Sequence, residues 1–135
     1  MLPDAVYHIC SDKGIELLPS NVNCYEPEDN TIKYCSRLKG EQLLFTVLHE
    51  IGHALQYLSG NYDDYFTYTN IDKITKRNRS LYIYYVLSCE YDAWERGRLI
   101  AKTYNINFNQ ANYIKYAASN TDKYIKIYFK DKLPR

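Results

Sequence analysis

Residues 44–58 read Leu44-Phe45-Thr46-Val47-Leu48-His49-Glu50-Ile51-Gly52-His53-Ala54-Leu55-Gln56-Tyr57-Leu58. Leu44, Leu48, Ile51, Leu55 and Leu58 recur at spacings of four, three, four and three, the apolar stripe of an amphipathic helix. Gly40 precedes the segment and Gly60 follows it as a stop. His49 and His53 are four residues apart, so one helical turn stacks both imidazoles on one face, at the edge of the stripe. Two imidazoles so placed can bind one Zn²⁺ together. Glu50 then sits beside the open coordination position, where it can take a proton from a water. The chain has three histidines and two are in this motif. The bland alternative is a helix that carries two surface histidines and a glutamate. Gly52 weakens a helix by roughly 1 kcal/mol relative to Ala; close approach of another backbone would explain it.

A catalytic zinc takes three protein ligands and leaves a position open. No histidine follows His53, and Gln56 and Ser59 stand where a longer three-histidine motif would need His and Gly marks. The third ligand is therefore expected to be a carboxylate from another helix. Ile83, Val86, Leu87, Ala93, Trp94, Gly97, Ile100 and Ala101 form one apolar or small-residue stripe, and Glu90 falls in its middle. A carboxylate on a core face is costly to bury unless it is paired or bound to metal. Glu90 is thus the candidate ligand, with a buried ion pair as the alternative. Ala93, one turn on, would let two helices approach closely. Glu95 shares a face with Asp92 and Arg98 and reads as solvated.

The other segments fall around these two helices. Residues 5–10 read as either a strand or a helical turn, and 14–18 as a strand closed by Pro19. Residues 22–25 and 31–36 flank Glu26-Pro27-Glu28-Asp29-Asn30, a run of turn formers, and predict a β-hairpin. The polar stretch 61–79 predicts a long loop. Ser80 is the expected N-cap of a helix over 81–104. A shorter helix is expected over 110–118, then a last one to about residue 130, capped by Ser119, Asn120 and Thr121.

At 135 residues the chain is expected to be a single domain. A net charge of +1, with both signs interspersed, argues against nucleic acid or a membrane surface as partner. The basic C-terminal residues Lys123, Lys126, Lys130, Lys132 and Arg135 read as a solvated face and tail. Met1-Leu2-Pro3-Asp4 is not a secretory start, and no run approaches the roughly 18 apolar residues of a membrane span, so a cytoplasmic location is expected. Cys10, Cys24, Cys35 and Cys89 lack metal-ligand spacing and read as free, partly buried thiols.

The pattern Tyr25-x-Pro27-x-x-Asn30-x-Ile32, then Leu48-His49-Glu50-Ile51-Gly52-His53-Ala54, then Glu90-x-x-Ala93, resembles the small gluzincin-type zinc metallopeptidases. It is most similar to the ImmA/IrrE-like and phage-encoded minimal members, over roughly residues 20–104. The resemblance implies an α+β, zincin-like fold: a small N-terminal hairpin or sheet packed on the motif helix and a glutamate helix, followed by C-terminal helices. It implies one Zn²⁺ held by His49, His53 and Glu90, with Glu50 as general base in peptide-bond hydrolysis. It implies a host-cytoplasmic location if the source is a phage or virus. It assigns the second hairpin strand, Thr31, Ile32, Lys33, Tyr34, Cys35 and Ser36, to pairing with extended peptide substrate at the cleft rim. Thermolysin-like members carry an Asp four residues after the glutamate. Trp94 stands there in this chain, so another group must orient the ligand histidine.

The oxyanion donor is unknown from sequence. Tyr57 and Tyr91 are near the motif residues among sixteen tyrosines, and His8 reads as a surface or satisfied residue. Three functions compete. The first is a zinc peptidase acting on a peptide or protein. The second is a zinc-dependent regulatory or interaction protein with little catalysis, against which Glu50 argues, because a structural zinc needs no base. The third, tyrosines stacking on nucleic acid, sits poorly with the near-zero charge.

Overall fold

The computed structural model describes residues 1–60 and 75–129. Four helices and a three-stranded sheet give an α+β architecture among these residues: α1 (Asp4–Asp12), β1 (Glu16–Ser20), β2 (Cys24–Glu26), β3 (Thr31–Cys35), α2 (Gly40–Leu58), α3 (Arg79–Thr103) and α4 (Gln110–Phe129).

The ambiguous segment at 5–10 is helical. Val6, Ile9 and Cys10 repeat at helical spacing and are buried. Gly14, at φ +66°, ends α1 by donating to the Ser11 carbonyl while Ile15 donates back to Cys10, a left-handed helix stop.

β3 is the central strand, with β1 parallel on one side and β2 antiparallel on the other. Glu16 to Ser20 register on Thr31 to Cys35, and Cys24 to Glu26 on Lys33 to Thr31. The first strand runs on through Pro19, which is tolerated because β1 lies at an edge. The hairpin turns at Asn30, whose φ of 48° is the left-handed conformation that Asn tolerates well. Its side chain accepts from the Tyr25 hydroxyl at 2.7 Å and donates to the carbonyls of Lys13 and Gly14, tying the turn to the end of α1.

α2 is the structural axis. The sheet covers one side of it through Ile32, and α3 and α4 cover the other. Leu44, Leu48 and Ile51 of the expected stripe are buried with Leu43, Phe45, Val47 and Ala54. The crossing of α2 and α3 is unusually close. A Cβ on Gly52 would stand 1.8 Å from the Ala93 carbonyl oxygen, and one on Gly97 would stand 2.3 Å from the Leu48 carbonyl oxygen. Each helix contributes a glycine where the other's backbone arrives, so the close approach expected at Gly52 is present.

Two boundaries differ from the sequence expectation. Asn78, not Ser80, occupies the cap position of α3; Asn78 and Thr75 exchange side-chain-to-backbone hydrogen bonds in the preceding turn. The C-terminal helix is continuous from Gln110 to Phe129 and has no break at 119–121. There Asn120 and Thr121 donate to the carbonyls of Tyr116 and Ala117, one turn back, so residues that favour caps are absorbed into the helix interior. The loop expected over 61–79 lies mostly outside the described residues.

Candidate metal centre

The motif histidines project together from α2, their ring centroids 4.6 Å apart. Because the two glycines bring α3 against this face, Glu90 reaches both rings. Its Oε2 lies 2.7 Å from His49 Nε2 and 3.5 Å from His53 Nε2. Donors around a tetrahedral zinc with bonds of about 2.0–2.2 Å stand roughly 3.3 Å apart, and the two spacings bracket that value. A ring nitrogen of each histidine and a carboxylate oxygen of Glu50 also lie within 4.8 Å of one another, a group able to hold a metal ion. Glu50 approaches His49 from the other edge of the ring, with Oε2 3.6 Å from Nδ1. Glu90 therefore converges with the two Nε2 atoms, while Glu50 stands beside the pair.

The electrostatics follow from burial. Glu90 is 6 % exposed and sits where its charge is costly. Burial pushes its pKa up, but hydrogen bonds and charge from His49 and His53 overcome this and hold it well below the usual carboxylate range. Burial also disfavours the charged form of His53. Contacts with Cys89 and Glu90, and the fields of Glu90 and Glu50, nevertheless hold its pKa well above 6.5. Among the described residues, Arg96 pairs with Asp92 at 2.7 Å and Arg98 with Glu95. Two imidazoles and a carboxylate, gathered in a buried setting, form a donor set that a divalent cation fits.

Trp94 does not leave His49 unsupported. The indole stacks on the imidazole at a centroid distance of 4.1 Å and 7° between planes, and so fixes the ring by packing. His53 is held differently, by Gln56 Oε1 at 2.9 Å from its Nδ1. Gln56 is fully buried on the motif helix three residues after His53. That spacing on one helical face is the signal that could have revealed it.

The centre opens into a cleft of about 430 Å³. Asn23, Cys24 and Tyr25 form one wall, and Tyr116 and Asn120 of α4 form another. The Tyr116 hydroxyl is 2.9 Å from Thr46 Oγ1, one turn before His49. Tyr57 and Tyr91 do not line this cleft; Tyr91 is 71 % exposed, and Tyr57 packs against Tyr25. His8 is exposed on α1.

The substrate-strand assignment needs correction. Thr31, Ile32, Lys33, Tyr34, Cys35 and Ser36 are absent from the cleft wall, and Thr31 and Ile32 are buried. β3 is paired with β1 along its whole length and with β2 over Thr31, Ile32 and Lys33, and beyond that the Cys35 N–H donates to Asn23 Oδ1 at 2.7 Å. The strand that borders the cleft is β2, through Cys24 and Tyr25, and its other edge is unpaired among the described residues. The four cysteines are free thiols, with Cys24 and Cys89 on the cleft wall and Cys10 in the core, where burial pushes its pKa up to about 11. No described helix is long and apolar enough to cross a membrane. Comparison of the chain with protein-family models, with curated proteins and with solved structures finds no match.

Proposed function

We propose that this chain is a zinc metallopeptidase of zincin-like fold that hydrolyses peptide bonds. The observation that carries the proposal is the convergence of His49 Nε2, His53 Nε2 and Glu90 Oε2 at a cleft that also holds Glu50. A zinc ion held by His49, His53 and Glu90 would supply Lewis acidity, acidifying a water and polarising a peptide carbonyl. Glu50 accepts the proton of the attacking water and delivers it to the leaving amine. A structural metal site has no use for such a base at an open cleft. Tyr116, its hydroxyl steadied by Thr46, is the donor for the developing oxyanion.

The cleft wall supports a substrate class. An extended peptide adds to the free edge of β2 as a further strand, so affinity comes from main-chain hydrogen bonds. Unfolded or extended segments of a protein meet that requirement.

The test is metal content and cleavage measured together. Wild type is expected to bind one zinc per chain and to cut members of an extended-peptide library. Glu50→Gln is expected to keep the zinc and to lose about 100- to 10,000-fold in rate. Zinc bound with no cleavage by wild type would leave a metal-dependent binding protein instead.

A further inference from the structure

We propose that Gln56 is a positioning residue of the metal centre: its amide fixes the tautomer of His53 so that Nε2 faces the metal. The inference rests on the metal-binding interpretation above. It starts from the amide itself, which is fully buried and makes contacts on both ends. Gln56 Nε2 donates to the Cys89 carbonyl at 2.9 Å and to Asp92 Oδ2 at 2.9 Å. Both amide hydrogens are therefore used, each on an acceptor that cannot donate. Rotating the amide by 180° would set its oxygen against a carbonyl and a carboxylate, so the orientation is locked. Asp92 is anchored in turn by Arg96 Nε at 2.7 Å.

With Nε2 committed, Oε1 must face His53 Nδ1 at 2.9 Å, and Cys89 Sγ approaches the same oxygen at 3.6 Å. An amide oxygen only accepts, so His53 Nδ1 must carry a proton. The neutral ring then has its lone pair on Nε2, the atom that faces Glu90. Arg96, Asp92, Gln56 and His53 thus form one chain in which a surface ion pair sets the tautomer of a buried ligand. α3 supplies Glu90 and, two residues on, Asp92, so the same helix brings a ligand and the anchor for the other ligand's orientation.

The test compares wild type, Gln56→Leu and Gln56→Glu. Leu matches the volume and removes the acceptor. Glu in its protonated form keeps an acceptor for Nδ1–H and a donor for Asp92. Nitrogen-15 NMR of the metal-free protein, recorded at a pH high enough to leave His53 neutral, is expected to show a slowly exchanging His53 Nδ1–H in wild type and Gln56→Glu, and none in Gln56→Leu. Zinc competition is expected to show affinity about 10- to 100-fold weaker in Gln56→Leu, with most of the loss recovered in Gln56→Glu. Folded Gln56→Leu with wild-type zinc affinity, or Gln56→Glu no better than Gln56→Leu, overturns the proposal. If Gln56→Leu does not fold, absence of the protected Nδ1–H from wild type overturns it, and its presence with recovery in Gln56→Glu supports it. If wild type binds no zinc, the metal-binding interpretation fails, and the positioning role fails with it; the Nδ1–H signal then shows whether the amide orientation alone survives.

Discussion

Gly52→Ala sets two effects of opposite sign against each other. In an open helix the substitution stabilises by about 1 kcal/mol, because Ala is the better helix former. Here the new Cβ would stand 1.8 Å from the Ala93 carbonyl oxygen and 2.6 Å from its carbon. Ordinary contact requires the two helices to separate by roughly 1.5 Å. The obstacle is backbone, so no side-chain rotation relieves it. Overpacking of this kind costs about 1–3 kcal/mol, and occasionally more. A backbone clash at 1.8 Å puts the steric cost at the upper end, about 3 kcal/mol, so the net loss is about 2 kcal/mol, a fall in Tm of roughly 8 °C for a domain of this size. The site suffers too. Ala93 is three residues from Glu90, so a displacement of roughly 1.5 Å at the crossing carries the carboxylate beyond the roughly 0.2 Å tolerance of a metal bond. Zinc affinity is expected to fall by about 100-fold or more. Thermal unfolding of the metal-free protein reads the packing effect, and zinc competition reads the site. A Tm equal to or above wild type would show that the helices do not cross at this distance, and the assembly of the site through Gly52 would be wrong.

Glu90→Ala is expected to weaken zinc binding by at least about 100-fold, since it removes one of the three proposed ligands; unchanged affinity in a direct titration excludes Glu90 as a ligand. Tyr116→Phe is expected to keep its zinc and to lose about 100-fold in kcat, the scale of losing one oxyanion donor; an unaltered kcat assigns that role elsewhere. The metal-free protein should also show a characteristic pH profile. The lowered pKa of Glu90 gives stability that is present above 4.5 and lost as pH falls through the folded value. The raised pKa of His53 gives stability that is full below 6.5 and lost as pH rises through the folded value. These are two faces of one coupled pair, so Tm of chelator-treated protein is expected to be highest between 4.5 and 6.5 and to fall on either side. Zinc affinity should rise with pH through 6.5 and beyond, because protons compete for the histidine. A metal-free Tm that climbs steadily from pH 6.5 to 9 would contradict the pairing.

The sequence by itself determined what depends on helical period. The stripe through Leu44, Leu48 and Ile51 places His49 and His53 on one turn, and the stripe around Ala93 places Glu90 on a buried face. Both follow from 3.6 residues per turn, a property of the local chain. The glycine at position 52 is legible for the same reason, as a conflict between propensity and helix. Tertiary structure decided the rest. Nothing local in residues 16–20 says that they pair in parallel with residues 31–35, yet that pairing makes β3 central and leaves the cleft edge to β2. Asn120 and Thr121 look like caps, but each satisfies its own preceding turn, and the continuous helix carries Tyr116 and Asn120 to the cleft. Gln56 acquires a role only when Asp92 and the Cys89 carbonyl arrive from another helix and lock its amide toward His53. Periodicity assigns a residue to a face, but a hydrogen bond needs a partner at about 2.9 Å, and for these residues the partner lies far along the chain.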